Sequence, residues 1–221
     1  MSFWPLARRI TEELQLAQAR GPLLEIGAGD GSFSTRLSSL GLSLHLLDRA
    51  YPPSPAGFST LAGDATALPF TDKSLQAVVM ANLLRQLRVR EAKKALRELC
   101  RCLVDGGQVL VLEDHPKGRS KAEKNYRWAL SLLAQAQLDR ATATVTPEQI
   151  RSLFQASFGL PRFEAIAENE EEVRAPRAPL EWLFRSGHSP REVEALARSV
   201  EEHGMRYGRY FCQIYRLASV G

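Results

Sequence analysis

Residues 23–31, Leu-Leu-Glu-Ile-Gly-Ala-Gly-Asp-Gly, decide the fold predicted for this chain. An apolar run with one glutamate passes directly into three alternating glycines. Glycine lets the backbone turn sharply and lets it approach a ligand without an intervening Cβ atom. Phe33, Leu37 and Leu40 follow at helical spacing, so the pattern predicts a strand, a turn and a helix whose first N–H groups face outward. The stretch therefore predicts a ligand cradle at the end of a strand.

The spacing of the glycines distinguishes between two kinds of ligand. A dinucleotide-binding fingerprint places its third glycine five positions after the first, and here that position is Ser32. The third glycine is Gly31 instead. The resulting E-x-G-x-G-x-G pattern resembles the first motif of the class I S-adenosylmethionine-dependent methyltransferases. A nicotinamide-dependent enzyme is the less favoured alternative.

Downstream segments match the same family in the same order. The apolar run 42–47 ends at Asp48, about where α/β folds place a carboxylate against ribose hydroxyls. Residues 62–70 resemble the family's G-D-A-x-x-L-P-F segment, and residues 70–74 resemble its F-x-D-x-S turn. Together with the G-G-x-x-x-x-x-E strand at 106–113, these segments most resemble the small-molecule methyltransferases related to the ubiquinone and menaquinone C-methylating enzymes.

The resemblance implies an α/β fold with a Rossmann-like, seven-stranded, mostly parallel sheet, an antiparallel last strand and helices on both faces. Apolar periodicity in addition predicts two helical insertions near the substrate end of the sheet, at about 117–145 and 170–206. Between them, residues 146–149 have the sequence of a helix capping box. We expect residues 1–221 to form a single methyltransferase domain.

The resemblance also implies S-adenosylmethionine as the cofactor. Asp48 would accept hydrogen bonds from the ribose, and Asp64 would accept one from the adenine amino group. Three prolines in the segment 52–55 oppose the helix that the family normally carries here, so we expect a more open adenine pocket. The expected cofactor site comprises Glu25, Gly27, Ala28, Gly29, Asp48, Arg49, Asp64, Ala65 and Asn82.

Two candidate catalytic residues, Asp114 and His115, follow the fifth predicted strand, at the carboxyl edge where open α/β folds bind ligands. His115 is a candidate general base, because an imidazole titrates near neutral pH. The alternatives are a strand-end histidine capped by a backbone hydrogen bond and, for Asp114, a surface carboxylate. Methyl transfer from a sulfonium chiefly needs in-line alignment of the nucleophile and the methyl carbon, which argues against a required base.

Aromatic residues in the two insertions predict a substrate pocket. Tyr126 and Trp128 lie on the predicted helix of the first insertion, and Trp182 and Phe184 lie in the second. If the insertions meet, these side chains would wall an apolar pocket. Packing on the core is the alternative for each of them. We therefore predict a small, apolar or aromatic methyl acceptor and methyl transfer by in-line displacement.

Composition narrows the remaining function classes. The chain has 221 residues, of which 44% are hydrophobic and 24% charged, which suits one α/β core. The net charge is +4, but the densest basic group, within 85–101, is expected on the solvated face of a helix. A nucleic-acid substrate is therefore disfavoured. An RNA methyltransferase and a catalytically silent, cofactor-binding adapter are the alternatives.

The sequence also predicts the cellular location of the protein and the state of its cysteines. No apolar run approaches the length of a membrane span, and the amino terminus lacks a signal-peptide pattern, so we expect a cytoplasmic protein without membrane insertion. We expect Cys100, Cys102 and Cys212 to be free thiols, and we expect no metal site. The oligomeric state cannot be predicted from this sequence.

Overall fold

The computed structural model describes residues 5–29, 31–50, 58–136, 145–155, 163–172, 190–206 and 209–218. The strands are β1 (Leu23–Ile26), β2 (His45–Asp48), β3 (Ser59–Ala62), β4 (Leu75–Ala81), β5 (Leu103–Asp114), β6 (Phe163–Glu172) and β7 (Arg209–Leu217). The helices are α1 (Pro5–Gln18), α2 (Ser32–Ser38), α3 (Val89–Cys102), α4 (Lys121–Ala136), α5 (Pro147–Gln155) and α6 (Pro190–His203), with a 3₁₀ turn at Leu84–Gln86.

The described strands form one sheet in the order β3-β2-β1-β4-β5-β7-β6. The pairings from β3 to β5 are parallel, and β7 runs antiparallel to both β5 and β6. These pairings confirm the predicted α/β class and the mostly parallel sheet. The direction of strand addition reverses between β1 and β4, which makes their carboxyl ends the switch point where open α/β sheets bind ligands.

Alternate residues of the central strands face opposite layers of helices, as the two-residue period of a strand requires. Val78 and Met80 of β4 belong to the buried cluster that includes residues of α3 and α5. Ala77 and Val79 belong to the other cluster, which includes residues of α1 and α2. The sheet is therefore covered on both faces, and only its edges and strand ends are available for binding.

One strand boundary near the cofactor-binding motifs differs from the sequence prediction, and one strand there has little sequence signal. β2 begins at His45, although Leu42 and Leu44 before it are both buried. β3 pairs in parallel with β2 at the edge of the sheet. Its four residues, Ser-Thr-Leu-Ala, include a single large apolar side chain, so the local sequence gives little strand signal.

Residues 105–107, whose two glycines suggest a turn at the end of α3, lie inside β5 instead. α3 ends at Cys102, and Leu103 already pairs with Leu75 of β4. The register shifts between this pair and the next, where Ala77 pairs with Gln108. The glycines therefore form an irregularity inside β5, and Gly106 takes a left-handed φ of 75° there.

The predicted capping box of α5 is confirmed. The Thr146 N–H donates to Gln149 Oε1 at 2.8 Å, and the Gln149 N–H donates to Thr146 Oγ1 at 3.1 Å. This reciprocal pair satisfies two backbone donors that the first turn of a helix otherwise leaves without partners. The helix then buries Ile150 and Phe154 against the sheet.

α4 and α6, which lie within the two segments predicted as helical insertions, pack against each other. Tyr126, Ala129 and Leu132 share a buried cluster with Leu196 and Met205. Polar contacts reinforce the pair: Asn125 Nδ2 donates to the carbonyls of Ser199 at 3.0 Å and Gly204 at 2.8 Å. α4 and α6 are thus in direct contact.

Three further features concern the described part of the chain only. No helix there is both long and apolar enough to cross a membrane. No group of three or more His, Cys, Asp or Glu side chains there is arranged to hold a metal ion. The three cysteines are free, and burial raises the pKa of the Cys100 thiol to about 11.

Candidate cofactor and acceptor site

The glycine-rich loop after β1 is built around three left-handed residues. Gly27, Gly29 and Gly31 have φ angles of 76°, 55° and 71°, a region that side chains with a Cβ rarely adopt. The Gly27 N–H donates to the Leu47 carbonyl at 2.7 Å, and the Gly29 N–H donates to Asp48 Oδ2 at 2.9 Å. The loop and the carboxylate at the end of β2 are therefore held as one unit.

The free space around the loop differs between Gly27 and Gly29. A Cβ atom at Gly27 would lie 2.9 Å from the Leu83 Cδ1 atom, so the loop packs closely against the segment after β4. A Cβ atom at Gly29 would meet nothing within 4 Å. The backbone is thus bare on the side that faces away from the protein, as the approach of a ligand requires.

A cleft opens at the carboxyl ends of β1, β2 and β4. Its apolar walls suit a planar base, while the Asp48 carboxylate is an acceptor for hydroxyl groups. Four of the expected cofactor residues meet here: Gly27, Asp48, Arg49 and Ala65. The full lining comprises Ile26, Gly27, Leu47, Asp48, Arg49, Gly63, Ala65, Leu83, Gln86 and Leu87.

Asp64 is placed beside this cleft and is held by its neighbours. Its Oδ1 atom accepts the Thr66 N–H at 2.7 Å, and its Oδ2 atom accepts from Arg49 Nε at 3.1 Å. Arg49 also approaches Glu91 of α3, at 3.6 Å. Partial burial acts to raise the pKa of Asp64, but the hydrogen bonds from Thr66 and the Arg49 charge lower it overall. Arg49 would share Asp64 with any ligand that binds it.

Three other expected cofactor residues, Glu25, Ala28 and Asn82, are not part of the cleft lining. Glu25 is 1% exposed, and its carboxylate accepts a hydrogen bond from the Ser34 hydroxyl of α2. Ala28 is buried within the loop. Asn82 follows β4 with a left-handed φ of 54°, and its Oδ1 atom accepts the Asp114 N–H at 3.3 Å. Asn82 therefore joins the ends of β4 and β5.

Asp114 is a buried carboxylate, so the surface alternative for it is wrong. It is 2% exposed, and its Oδ2 atom pairs with the guanidinium of Arg85. Arg127 NH1 and Tyr126 Oη each lie 3.4 Å from the same oxygen. The expectation that the basic group around residues 85–101 is solvated is wrong for Arg85, whose side chain is only 16% exposed.

Glu113, immediately before Asp114, is a fully buried acid. Its Oε1 atom accepts the Leu84 N–H at 2.7 Å, while its Oε2 atom has no hydrogen-bond partner among the described residues. Burial raises the pKa of Glu113 to about 8. Glu113 is therefore mostly protonated at neutral pH.

The protonation of Glu113 predicts a pH-dependent stability. Its folded-state pKa of about 8 lies above its ordinary value of 4.5, so folding binds a proton between these values. The free energy of unfolding should then fall as the pH rises from about 4.5 through about 8, by roughly 5 kcal/mol in total. Urea unfolding of the Glu113→Gln variant across this range should lack that slope. Glu201→Gln, an exposed position on α6, should keep it, and equal slopes in the two variants would refute the assignment.

The position of His115 matches the alternative of a strand-end histidine that is capped by a backbone hydrogen bond. It is 8% exposed, and its Nδ1 atom accepts the Lys117 N–H at 3.2 Å. Its ring meets Phe211 of β7 edge-on, with 6.3 Å between the centroids. With Nδ1 accepting a backbone proton, the neutral ring carries its own proton on Nε2. A role as a general base stays a prediction.

The predicted aromatic pocket is described in part. Tyr126 is buried, and Trp128 is half-buried against the cluster shared by α4 and α6. Trp182 and Phe184 lie outside the described residues. Tyr126 is the described aromatic residue that reaches the polar cluster, through its hydroxyl near Asp114.

Sequence reasoning did not single out several residues that the geometry brings to the site. Leu83, Gln86 and Leu87 line the cleft from the short turn after β4, which has no periodic pattern. Arg85 and Arg127 reach Asp114 from different elements. Arg127 is a charged residue beside Tyr126 on an otherwise apolar helix face. This pattern is the one sequence signal that could have indicated Arg127.

Comparison with known proteins agrees with this geometry. The family described as a methyltransferase domain matches residues 24–111, which include the glycine loop, Asp48 and Asp64. Residues 24–111 thus match a methyltransferase domain, as their motifs predict, and the match supports the expected cofactor, S-adenosylmethionine.

Within this class, the matched relatives are quinone methyltransferases. A demethylmenaquinone methyltransferase of Renibacterium salmoninarum is 39% identical over 101 residues, which are 42% of this chain and 42% of that protein. One from Thermus thermophilus is 26% identical over 196 residues, 83% of this chain and 81% of that protein. The first match thus spans less than half the length of the relative. The resemblance to the quinone-type enzymes is confirmed.

Solved structures support the fold. A crystal structure of an S-adenosylmethionine-dependent methyltransferase from Methanosarcina mazei superposes with a TM-score of 0.58 at 16% identity. The superposition covers 100% of this chain and 100% of that one. The likeness therefore concerns the fold alone.

Proposed function

We propose that this chain transfers the methyl group of S-adenosylmethionine to a small aromatic acceptor of the quinol type. The observation that carries the proposal is the hydrogen bond between Gly29 and Asp48 at 2.9 Å, which fixes a bare loop beside a carboxylate. The names of the matched relatives, demethylmenaquinone methyltransferases, support the acceptor class. In this proposal residues 1–221 act as one methyltransferase domain.

The cofactor half of the proposal uses the cleft at β1, β2 and β4. The Asp48 carboxylate accepts the ribose hydroxyls, and the left-handed glycines keep Cβ atoms away from the ligand. Leu83 and Ala65 contact the base, and Asp64 accepts from its amino group. When bound, the cofactor supplies a methyl group on an electrophilic sulfonium. The proposed set remains Glu25, Gly27, Ala28, Gly29, Asp48, Arg49, Asp64, Ala65 and Asn82.

The acceptor half of the proposal uses the carboxyl end of β5 and the helix that follows it. Asp114 and His115 lie at this edge, and Tyr126 and Trp128 lie on α4 beside it. We place the two helical insertions at this substrate end, with Trp182 and Phe184 completing the pocket. Their common role is to exclude water and to orient an apolar ring.

Positioning rather than acid–base chemistry dominates the proposed mechanism. An in-line displacement needs the nucleophile behind the methyl carbon, and holding two reactants in that geometry supplies much of the rate. The hydrogen bond that His115 Nδ1 accepts from Lys117 leaves this ring nitrogen without a free lone pair for a proton. In this mechanism the buried residues at the end of β5 orient the acceptor and provide the charged groups around it.

A methyl-transfer assay tests the proposal. The purified protein, given S-adenosylmethionine with a labelled methyl group, should label reduced demethylmenaquinone and leave total RNA unlabelled. Asp48→Ala should lower the labelling rate at subsaturating cofactor at least about 100-fold, since it removes the ribose acceptor. Labelled RNA would favour the nucleic-acid alternative. Cofactor binding without any methylated quinol would favour the silent adapter.

A further inference from the structure

Arg127 of α4 is a buried cation without hydrogen bonds. Its side chain is 10% exposed, yet none of its three guanidinium nitrogens has a hydrogen-bond partner within the described part of the chain. The nearest acceptor is Asp114 Oδ2, 3.4 Å from NH1, in an ion pair that lacks hydrogen-bond geometry. A guanidinium carries five N–H donors, and buried donors in proteins are nearly always paired. The N–H groups of Arg127 are therefore donors that a bound ligand can use.

An unpartnered acceptor lies in the same cluster. Asp114 Oδ2 is already paired with Arg85, but Asp114 Oδ1 is buried without a hydrogen-bond partner among the described residues. Arg85 already pairs with the Asp114 carboxylate, and its backbone N–H also donates to Glu113 Oε1 at 3.4 Å. Arg127 is therefore not needed to neutralise Asp114. The donors of Arg127 and the Oδ1 acceptor together match a group that both donates and accepts.

The location of this pair suits the methyl acceptor. Asp114 ends β5, which is separated from β1 by β4 alone. Strands lie about 4.8 Å apart, so the end of β5 is about 10 Å along the sheet edge from the glycine loop. This distance places the pair beside the cofactor cleft rather than inside it. Tyr126, with its hydroxyl 3.4 Å from Asp114, flanks the pair with an aromatic ring.

We propose that Arg127 and Asp114 bind an acidic ring hydroxyl of the methyl acceptor, with Arg127 donating to the hydroxyl oxygen and Asp114 Oδ1 accepting its hydrogen. This inference rests on the proposed function, because it deepens the acceptor half of that site. The Arg127 guanidinium needs an acceptor oxygen, and the unpartnered Oδ1 atom of Asp114 needs an oxygen that still carries a hydrogen. Phenols and hydroquinones are thus selected over their ethers and over plain hydrocarbons.

Binding of two matched probes tests this selection. The full chain, saturated with S-adenosylhomocysteine, is titrated with 1-naphthol and with 1-methoxynaphthalene, which differ in the hydroxyl hydrogen. The wild-type protein should bind 1-naphthol at least about tenfold more tightly, as one charge-assisted hydrogen bond predicts. Arg127→Met should weaken the binding of 1-naphthol at least about tenfold, because the donor to the hydroxyl oxygen is lost. Lys124→Met, which removes an exposed charge from the same helix, should bind 1-naphthol as the wild type does.

Two controls separate this inference from folding and from the proposed function. Because Arg127 makes no hydrogen bond and Arg85 still pairs with Asp114, Arg127→Met should lower the Tm less than Arg85→Met does. Arg127→Lys should recover part of the affinity for 1-naphthol. A wild-type protein that binds S-adenosylhomocysteine without preferring 1-naphthol would overturn this inference alone. Failure to bind S-adenosylhomocysteine would overturn the proposed function itself. An unchanged affinity of Arg127→Met for 1-naphthol would also overturn the assignment of Arg127.

Discussion

Replacing Asp48 with alanine is expected to weaken the binding of S-adenosylhomocysteine at least about 100-fold. The carboxylate is an acceptor for the ribose hydroxyls, and hydrogen bonds to a charged group are worth about 1.5 kcal/mol or more each. Two of them give about 3 kcal/mol, which corresponds to about 100-fold in affinity. The loss should be larger still, because Asp48 Oδ2 also holds the Gly29 N–H at 2.9 Å. Calorimetric titration measures the change.

The matched control for this variant is Asp105→Ala. Asp105 is an exposed acid that pairs with Lys73 at 3.0 Å, near the amino end of β5, so the variant makes the same change of charge away from the cleft. Its cofactor affinity should stay within about twofold of wild type. If Asp48→Ala also stayed within about threefold, the ribose assignment would be wrong.

Gly29→Val should give a comparable loss of cofactor affinity for a different reason. The valine Cβ would enter space that holds no protein atom within 4 Å, where the proposed cofactor would approach the loop. The residue must also keep a φ of 55°, which costs a side chain with a Cβ about 1–2 kcal/mol. A lowered Tm together with lost binding is expected, whereas unchanged binding would place the ligand elsewhere.

Replacing Arg85 with methionine is expected to have the largest effect on stability. The variant removes the ion-pair partner of Asp114, a carboxylate that is 2% exposed. Removing one partner of a buried pair typically costs about 3–5 kcal/mol, because the remaining charge cannot be solvated. Arg127, at 3.4 Å, limits the loss without replacing the hydrogen bond. Urea unfolding at neutral pH measures the change in the free energy of unfolding.

Two comparisons show whether the unpaired charge is the cause. Arg90→Met removes an exposed charge from α3 and should change the free energy of unfolding by less than about 0.5 kcal/mol. The double variant Arg85→Met, Asp114→Leu removes both charges and should recover much of the loss, since no buried carboxylate remains. A double variant that is as unstable as Arg85→Met alone would show that lost packing is responsible.

The cofactor half of the site could be predicted because its signal is local. The glycine loop, Asp48 and Asp64 each follow a strand directly, and strand ends at one edge of a parallel sheet must lie together. Gly27, Asp48, Arg49 and Ala65 accordingly line one cleft. The capping box of α5 is equally local, because its four residues satisfy one another.

The charge cluster at the end of β5 could not be predicted in the same way. Arg85 and Asp114 are 29 residues apart, and they meet because β4 and β5 are neighbours in the sheet. In sequence Arg85 is one of several basic residues before and along a surface helix. The burial of Asp114 likewise depends on α4, which covers the strand end with Tyr126 and Arg127. Such contacts exist only after the elements have assembled.

The most direct test of the central claim is calorimetric titration of the purified protein with S-adenosylmethionine, S-adenosylhomocysteine and NADH. The Gly31 spacing and the cleft beside Asp48 predict micromolar binding of the two adenosyl ligands and no binding of NADH. Silence from both adenosyl ligands would contradict the account of the site and of the enzyme. Binding of NADH alone would instead favour a nicotinamide enzyme.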